Sequence, residues 1–219
     1  MTESDRSRWE ARFVAFLERD GAFGDAAHDL EHVRRVVRTA MSLAVPEGAD
    51  PDIVFAAAWL HDCVAVPKDS PDRSKASRFA AAAASEFLAA AGWESRQIPF
   101  IHHAIEAHSF SAGIEPITPD ARVVQEADRL DALGAHGLAR CIATGASMGT
   151  GLVHPTDPWA VNRALDDVKW SVDHFFAKLF KLPAMMRTAA GRAEADRRSE
   201  VLKVFLRELA RERGEPSPV

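Results

Sequence analysis

The chain has 219 residues, 47% of them hydrophobic and 27% charged, the balance of a soluble globular protein and not of a disordered or fibrous one. A net charge of -5 and a pI near 6.0 exclude an overall basic field that would collect nucleic acid or an anionic membrane, so an anionic ligand must be held by local charge. Two cysteines, Cys63 and Cys141, make neither a disulfide framework nor a thiolate zinc site.

The opening MTESDRSRWEARF carries mixed charge without the apolar core of a signal peptide, and no apolar run reaches the roughly 18 residues that span a bilayer. The expectation is one soluble cytoplasmic domain. Apolar spacing is helical almost throughout and nowhere alternates long enough for a strand, which predicts an all-α fold. A first helix is expected over residues 5–19, ending near Gly21. A second runs from about His28 to Val45, with Leu30, Val33, Val37, Met41 and Ala44 along one side and Pro46 and Gly48 to stop it. The third, Asp52 to Val64, is apolar nearly all round, as suits the middle of a bundle, and must end before Pro67.

Residues 72–91 read as an alanine-rich helix with Gly92 as its stop, and another helix follows from about Gln97 to Ser109. Thr118 and Pro119 form an N-cap and first-turn signature; the helix they open carries Val123, Val124, Ala127 and Leu130 on one side. Between 145 and 167 lies the longest expected loop, with five glycines and prolines from Gly145 to Pro158. Helices over 172–182 and from Pro183 to about Arg211 close the chain, the last with Val201, Val204, Phe205 and Leu209 at helical spacing.

His61 and Asp62 stand together near the end of the most hydrophobic helix, where a lone carboxylate meets both a desolvation penalty and the negative end of the helix dipole. A bound cation removes both objections; the bland alternative is a core histidine beside a carboxylate that accepts backbone hydrogen bonds. His32 projects to the edge of its helix's apolar arc, with His28 one turn earlier on the same flank, as a shared ligand or as a capping histidine. Asp128 and Asp131 both project inward while Glu126 and Arg129 point away, and spacing does not choose between metal binding and a salt bridge to Arg122 or Arg140. Imidazole and carboxylate donors suit Mn²⁺, Fe²⁺, Co²⁺, Ni²⁺ or Zn²⁺, and four protein ligands leave open positions in an octahedral shell.

In order and context these residues resemble the HD-domain metal-dependent phosphohydrolase superfamily, in a bacterial branch marked by HDxxHxxRV, LHD, HSFS and ADRLDAxGA. Here the motifs read HDLEHVRRV from His28, LHD from Leu60, HSFS from His108 and ADRLDALGA from Ala127. The likeness extends from about residue 25 to 205 and includes DHFFAKLFKLP from Asp173. It implies a single-domain HD-type helical bundle with His32, His61, Asp62 and Asp128 as metal ligands, which selects Asp128 over Asp131. His103 and His108 stand where the superfamily often carries two further histidines, for a second metal or a substrate phosphate. Helix projection instead turns His102 and His108 inward and His103 outward.

Two departures stand out. Glu126 replaces the aspartate that many members carry, on what projection makes the outer side. Cys63, Val64, Ala65 and Val66 replace the acidic pair that follows the dyad in some nucleotide-hydrolysing members, which leaves the proton-transfer group open.

The implied activity is metal-dependent hydrolysis of a phosphate ester or anhydride, with a nucleotide among the substrate classes. Its cofactor is a divalent metal, Mn, Fe, Co, Ni, Zn or Mg, with Mn or another transition metal favoured. His103 or His108 would protonate the leaving oxygen or hold phosphate, while Lys68, with Arg73 and Lys75, would neutralise developing charge. His28, Arg73, Arg129 and Lys178 are the expected substrate contacts, and Trp159 or Trp170 offers a surface for a base. A noncatalytic nucleotide or metal sensor would show the same ligand set, and a helical interaction module is the third reading. Homo-oligomerisation stays open.

Overall fold

Residues 1–19, 30–67 and 70–219 of the computed structural model are described. Among them the regular structure is helical: α1 (Glu3–Arg19), α2 (Leu30–Ala44), α3 (Pro51–Leu60), α4 (Ala76–Ala91), α5 (Ile98–His108), α6 (Pro119–Asp131), α7 (Gly134–Ser147), α8 (Ser171–Ala177) and α9 (Ala189–Arg213). No strand occurs among the described residues, although an isolated bridge pairs Gly151 with Trp170. The all-α expectation is met. The chain divides into two compact units, residues 1–128 and 129–219, with the boundary inside α6.

In the first unit α3 packs against α1, α2, α4 and α5. Its sequence explains both its place and its start. Every residue from Ile53 to Leu60 is buried, the Asp50 carboxylate accepts from the Asp52 N–H at 2.8 Å, and Pro51 occupies a first-turn position that needs no donor. Phe13 of α1 lies 5.8 Å from Phe55 and 6.4 Å from Trp59 between ring centroids, and burying rings of this size contributes roughly 1.5–3 kcal/mol each.

Helix α3 stops four residues short of the predicted Val64. In a continued helix the Ala58 carbonyl would take the Asp62 N–H; here it accepts the His61 Nδ1–H at 2.9 Å, and the Cys63 N–H closes a tighter turn onto Leu60. The dyad therefore stands on a turn at the helix end. Helix α5 ends the same way, with the His108 Nδ1–H donating to the Ile105 carbonyl at 2.6 Å. Gly92 ends α4 at φ 80, and Thr118 Oγ1 accepts from the Ala121 N–H at 3.2 Å, as their sequence signals predict.

Helix α6 differs from its projection. Asp120, Ala121, Val123 to Ala127, Leu130 and Asp131 are all buried, so Glu126, expected on an outer side, is fully enclosed. A helix covered on nearly all sides has no outer face at that level. At its start the Asp120 carboxylate accepts from the Asp50 N–H at 2.7 Å, tying α6 to the cap of α3. Burial raises the Asp120 carboxyl above its ordinary value, against the opposing pull of that N–H. The folded chain thus holds the proton more tightly than the unfolded one, and Asp120 costs stability at neutral pH that is regained as pH falls through the raised value. Asp120→Asn keeps an acceptor for Asp50 and is expected to melt at or slightly above the wild-type temperature at pH 7, the gap closing in acid. A neutral-pH melt well below wild type would contradict this.

In the second unit α7 packs on α8 and α9. Residues 134–147, for which the sequence suggested no separate helix, form α7, and the loop expected from 145 begins after Ser147. The helix expected over 172–182 breaks after Ala177 into a 3-10 turn, Leu179–Lys181, and the one expected from Pro183 begins only at Ala189, capped by Thr188 Oγ1 accepting from the Gly191 N–H at 3.0 Å. The buried side of α9 is Ala195, Ser199, Leu202, Leu206 and Ala210, and Val204, expected inward, is 55% exposed. Arg163 donates twice to the buried Asp173 carboxylate, at 2.5 and 2.7 Å, and gives its Nε–H to the Asp157 carbonyl at 2.9 Å, which pins the long loop onto α8.

Candidate metal centre

Among the described residues of the first unit, five side chains converge from four helices: His32 on α2, His61 and Asp62 on the turn after α3, His108 as the last residue of α5, and Asp128 on α6. They form two overlapping triads, His32–His61–Asp128 and His61–Asp62–His108, in each of which the ligand atoms lie within 4.8 Å of one another. The four predicted ligands are thus gathered, but Asp62 groups with His108 and not with His32 and Asp128. His61 belongs to both triads.

The helix ends fix the chemistry of two rings. A carbonyl only accepts, so His61 and His108 must carry hydrogen on Nδ1, and each ring turns its Nε2 toward the cluster. His61 Nε2 lies 3.4 Å from His32 Nε2, 3.5 Å from Asp62 Oδ2 and 4.0 Å from Asp128 Oδ1. His108 Nε2 lies 3.4 Å from Asp62 Oδ1, and His32 Nε2 lies 3.5 Å from Asp128 Oδ1. The three imidazoles are buried and the two carboxylates about one-third exposed. Burial pushes the His61 imidazolium down, with Asp62 and Asp128 pulling the other way, so this ring is neutral and its Nε2 is an acceptor facing acceptors. Burial also opposes charge on His108, but the Asp62 hydrogen bond and the Asp62 and Asp128 charges outweigh it and raise that group.

This donor set fits a divalent ion. Atoms about 2.0–2.2 Å from one ion lie about 3–4 Å from each other in tetrahedral or octahedral shells, the range of the separations above. Acceptors crowded in a buried pocket repel unless a cation or a proton lies among them.

His103 Nε2 accepts from the Ile117 N–H at 3.1 Å and its Nδ1 faces Glu106 at 3.5 Å, so it holds the loop after α5 and does not join either triad. His102, projected inward, is the more exposed neighbour at 41% against 18% for His103. Both sit about 130° from the centre of the buried side of α5 at 100° per residue, so projection had no means of ranking them. Arg73 donates to the Val66 carbonyl at 2.9 Å, and Lys75 is exposed and paired with Asp72 at 2.8 Å. In the second unit, Arg129 donates to the Met185 carbonyl, Lys178 pairs with Asp167 at 3.1 Å, and Asp131 meets Arg140 at 3.3 Å as the salt-bridge alternative held. Trp170 packs on the His154 ring at 5.2 Å. His28 and Lys68 lie outside the described residues. No described helix is long and apolar enough to cross a membrane.

An HD-domain family profile matches residues 29–133, a span that contains all five clustered side chains. The chain belongs to the HD-domain phosphohydrolase superfamily. Within it, the chain is similar to protein YpgQ of Bacillus subtilis (strain 168), with 31% identity over 191 residues and 85% of each chain covered. The crystal structure of YpgQ in complex with ADP superposes with a TM-score of 0.69 at 28% identity, covering 92% of this chain and 96% of that one. An HD-superfamily hydrolase from Bacillus thuringiensis superposes with a TM-score of 0.74 at 28% identity, covering 96% and 100%.

Proposed function

We propose that the protein is a divalent-metal-dependent phosphohydrolase that cleaves a phosphate ester or anhydride, with a nucleotide as the substrate class. The observation that carries the reading is the pair of Nε2 atoms, on His61 and His108, held against carboxylate oxygens at 3.4–3.5 Å in a pocket lined by buried rings. His32, His61, Asp62 and Asp128 would hold the ion, and three imidazoles beside two carboxylates favour Mn²⁺ or another transition metal over Mg²⁺. Such an ion lowers the pKa of water and offsets charge on a phosphoryl group.

The chain's own groups supply the rest. Asp62 orients His108 through its Oδ1, and His108, at the end of α5, is the group we assign to hold a proton for the leaving oxygen. His103 is assigned a supporting role, because its Nε2 is engaged with the Ile117 N–H. Lys68, Arg73, Arg129, Lys178 and His28 remain the proposed phosphate contacts. Support for a nucleotide comes from the YpgQ relative, which was crystallised with ADP. A single working domain with its core over about residues 25–205, in the cytoplasm, completes the reading.

The test is a screen of nucleoside di- and triphosphates, cyclic nucleotides and phosphomonoesters with Mn²⁺, Co²⁺, Ni²⁺ and Mg²⁺, reading phosphate and pyrophosphate release separately. Turnover that needs a transition metal and stops with EDTA is expected. Tight nucleotide binding without turnover of any compound would replace the enzyme by a sensor.

A further inference from the structure

The last turn of α5 is clamped by side chains, two of them from other helices. The final carbonyls of an α-helix lack intrahelical donors, and three successive ones here accept from side chains. Ile105 takes the His108 Nδ1–H at 2.6 Å, Glu106 takes the Ser77 hydroxyl of α4 at 2.9 Å, and Ala107 takes the Gln125 Nε2–H of α6 at 2.7 Å. Gln125 is only 3% exposed, and its Oε1 is buried with no hydrogen-bond partner among the described residues. Burying such an acceptor costs about 1–3 kcal/mol, so this amide is a poor choice if stability is all it serves.

The geometry points to Gln125 as a positioning residue that sets the His108 imidazole against Asp62, with Ser77 bracing the same turn from the other side. Gln125 stands one helical turn before Asp128, so a single side chain links the helix carrying one triad's carboxylate to the turn carrying the other triad's imidazole. Among the described residues it makes its hydrogen bond to the Ala107 carbonyl and none to the four proposed metal ligands, and its effect passes through His108. The kinetic consequence rests on the hydrolase reading; the conformational one does not.

Gln125→Met tests both. The variant takes the donor from the Ala107 carbonyl but also removes the buried Oε1, which leaves the number of affected buried acceptors unchanged and the melting temperature close to wild type. Expected are a loss of kcat of roughly 10- to 100-fold, a smaller change in KM, and Mn²⁺ affinity within about twofold of wild type. In a His108→Ala background, Gln125→Met should cost nothing further. An equal loss in both backgrounds overturns the proposal. Independently of turnover, ¹⁵N-histidine NMR of the metal-free full chain should report a His108 Nδ1 that stays protonated in wild type and loses its proton in part of the population in Gln125→Met. An unchanged ring signature overturns the proposal as well, whereas a wild type inactive on every substrate strikes only at the hydrolase reading. Should Gln125→Met fold poorly, Ser77→Ala carries the same two readouts in the same direction.

Discussion

Replacing His61 by alanine is expected to abolish Mn²⁺ binding at micromolar concentrations and to cut hydrolysis by at least about 10³-fold, the scale set by losing several kcal/mol of charge stabilisation. No other residue belongs to both triads, so its loss opens both at once. The ring is fully buried and neutral, and its departure leaves Asp62 and Asp128 as like charges without the nitrogen that stands between them. Calorimetric titration with Mn²⁺ and steady-state turnover measure the two effects, and far-ultraviolet circular dichroism checks that helix content persists. His103→Ala, which removes a ring outside both triads, should stay within about tenfold of wild type. Micromolar Mn²⁺ binding retained by His61→Ala would mean that the ion, if bound, sits elsewhere.

The second large effect is on stability and lies in the other unit. Arg163→Met removes both hydrogen bonds from a carboxylate that is 1% exposed, and breaking one side of a buried ion pair costs about 3–5 kcal/mol. The Asp166 N–H, at 2.6 Å, is the compensation left to Asp173. The same substitution frees the Asp157 and Ala164 carbonyls, so the loop before α8 loses its anchor. Urea titration followed by tryptophan fluorescence, with Trp159 and Trp170 in that loop, should show the loss. Adding Asp173→Asn, which removes the stranded charge but keeps an acceptor for Asp166, should recover more than half of it. A single Arg163→Met variant within about 1 kcal/mol of wild type would show that the pair contributes no more than an exposed one.

How much of this was legible depends on whether the determining contact is local. Thr118 with Pro119, and Gly92, are caps whose partners lie within a few residues, and each marks its helix end as read. Helix α7 was hidden because Gly134, Gly137 and Gly145 argue against a helix by propensity. Close approaches require two of them: a Cβ on Gly137 would lie 2.1 Å from the carbonyl oxygen of nearby Ala132, and one on Gly145 would lie 2.2 Å from Ser171 Oγ, 26 residues away and beyond any local signal. The ordered motifs located His32, His61, Asp62 and Asp128, yet the grouping of Asp62 with His108 depends on where two helices end, which neither periodicity nor motif spacing records. Gln125 carried one readable sign, a polar side chain among the inward residues of α6, and nothing local to say that its partner is the Ala107 carbonyl.

Because the hydrogen-bond partners that fix the His61 and His108 tautomers are main-chain oxygens, at Ala58 and Ile105, no side-chain replacement at those two positions can delete them. Residues 58 and 105 can drift among helix formers while the rings keep their orientation. Such a centre is shielded from the commonest route of evolutionary decay, and it is vulnerable instead to insertions or prolines that shift the register of the last helical turn.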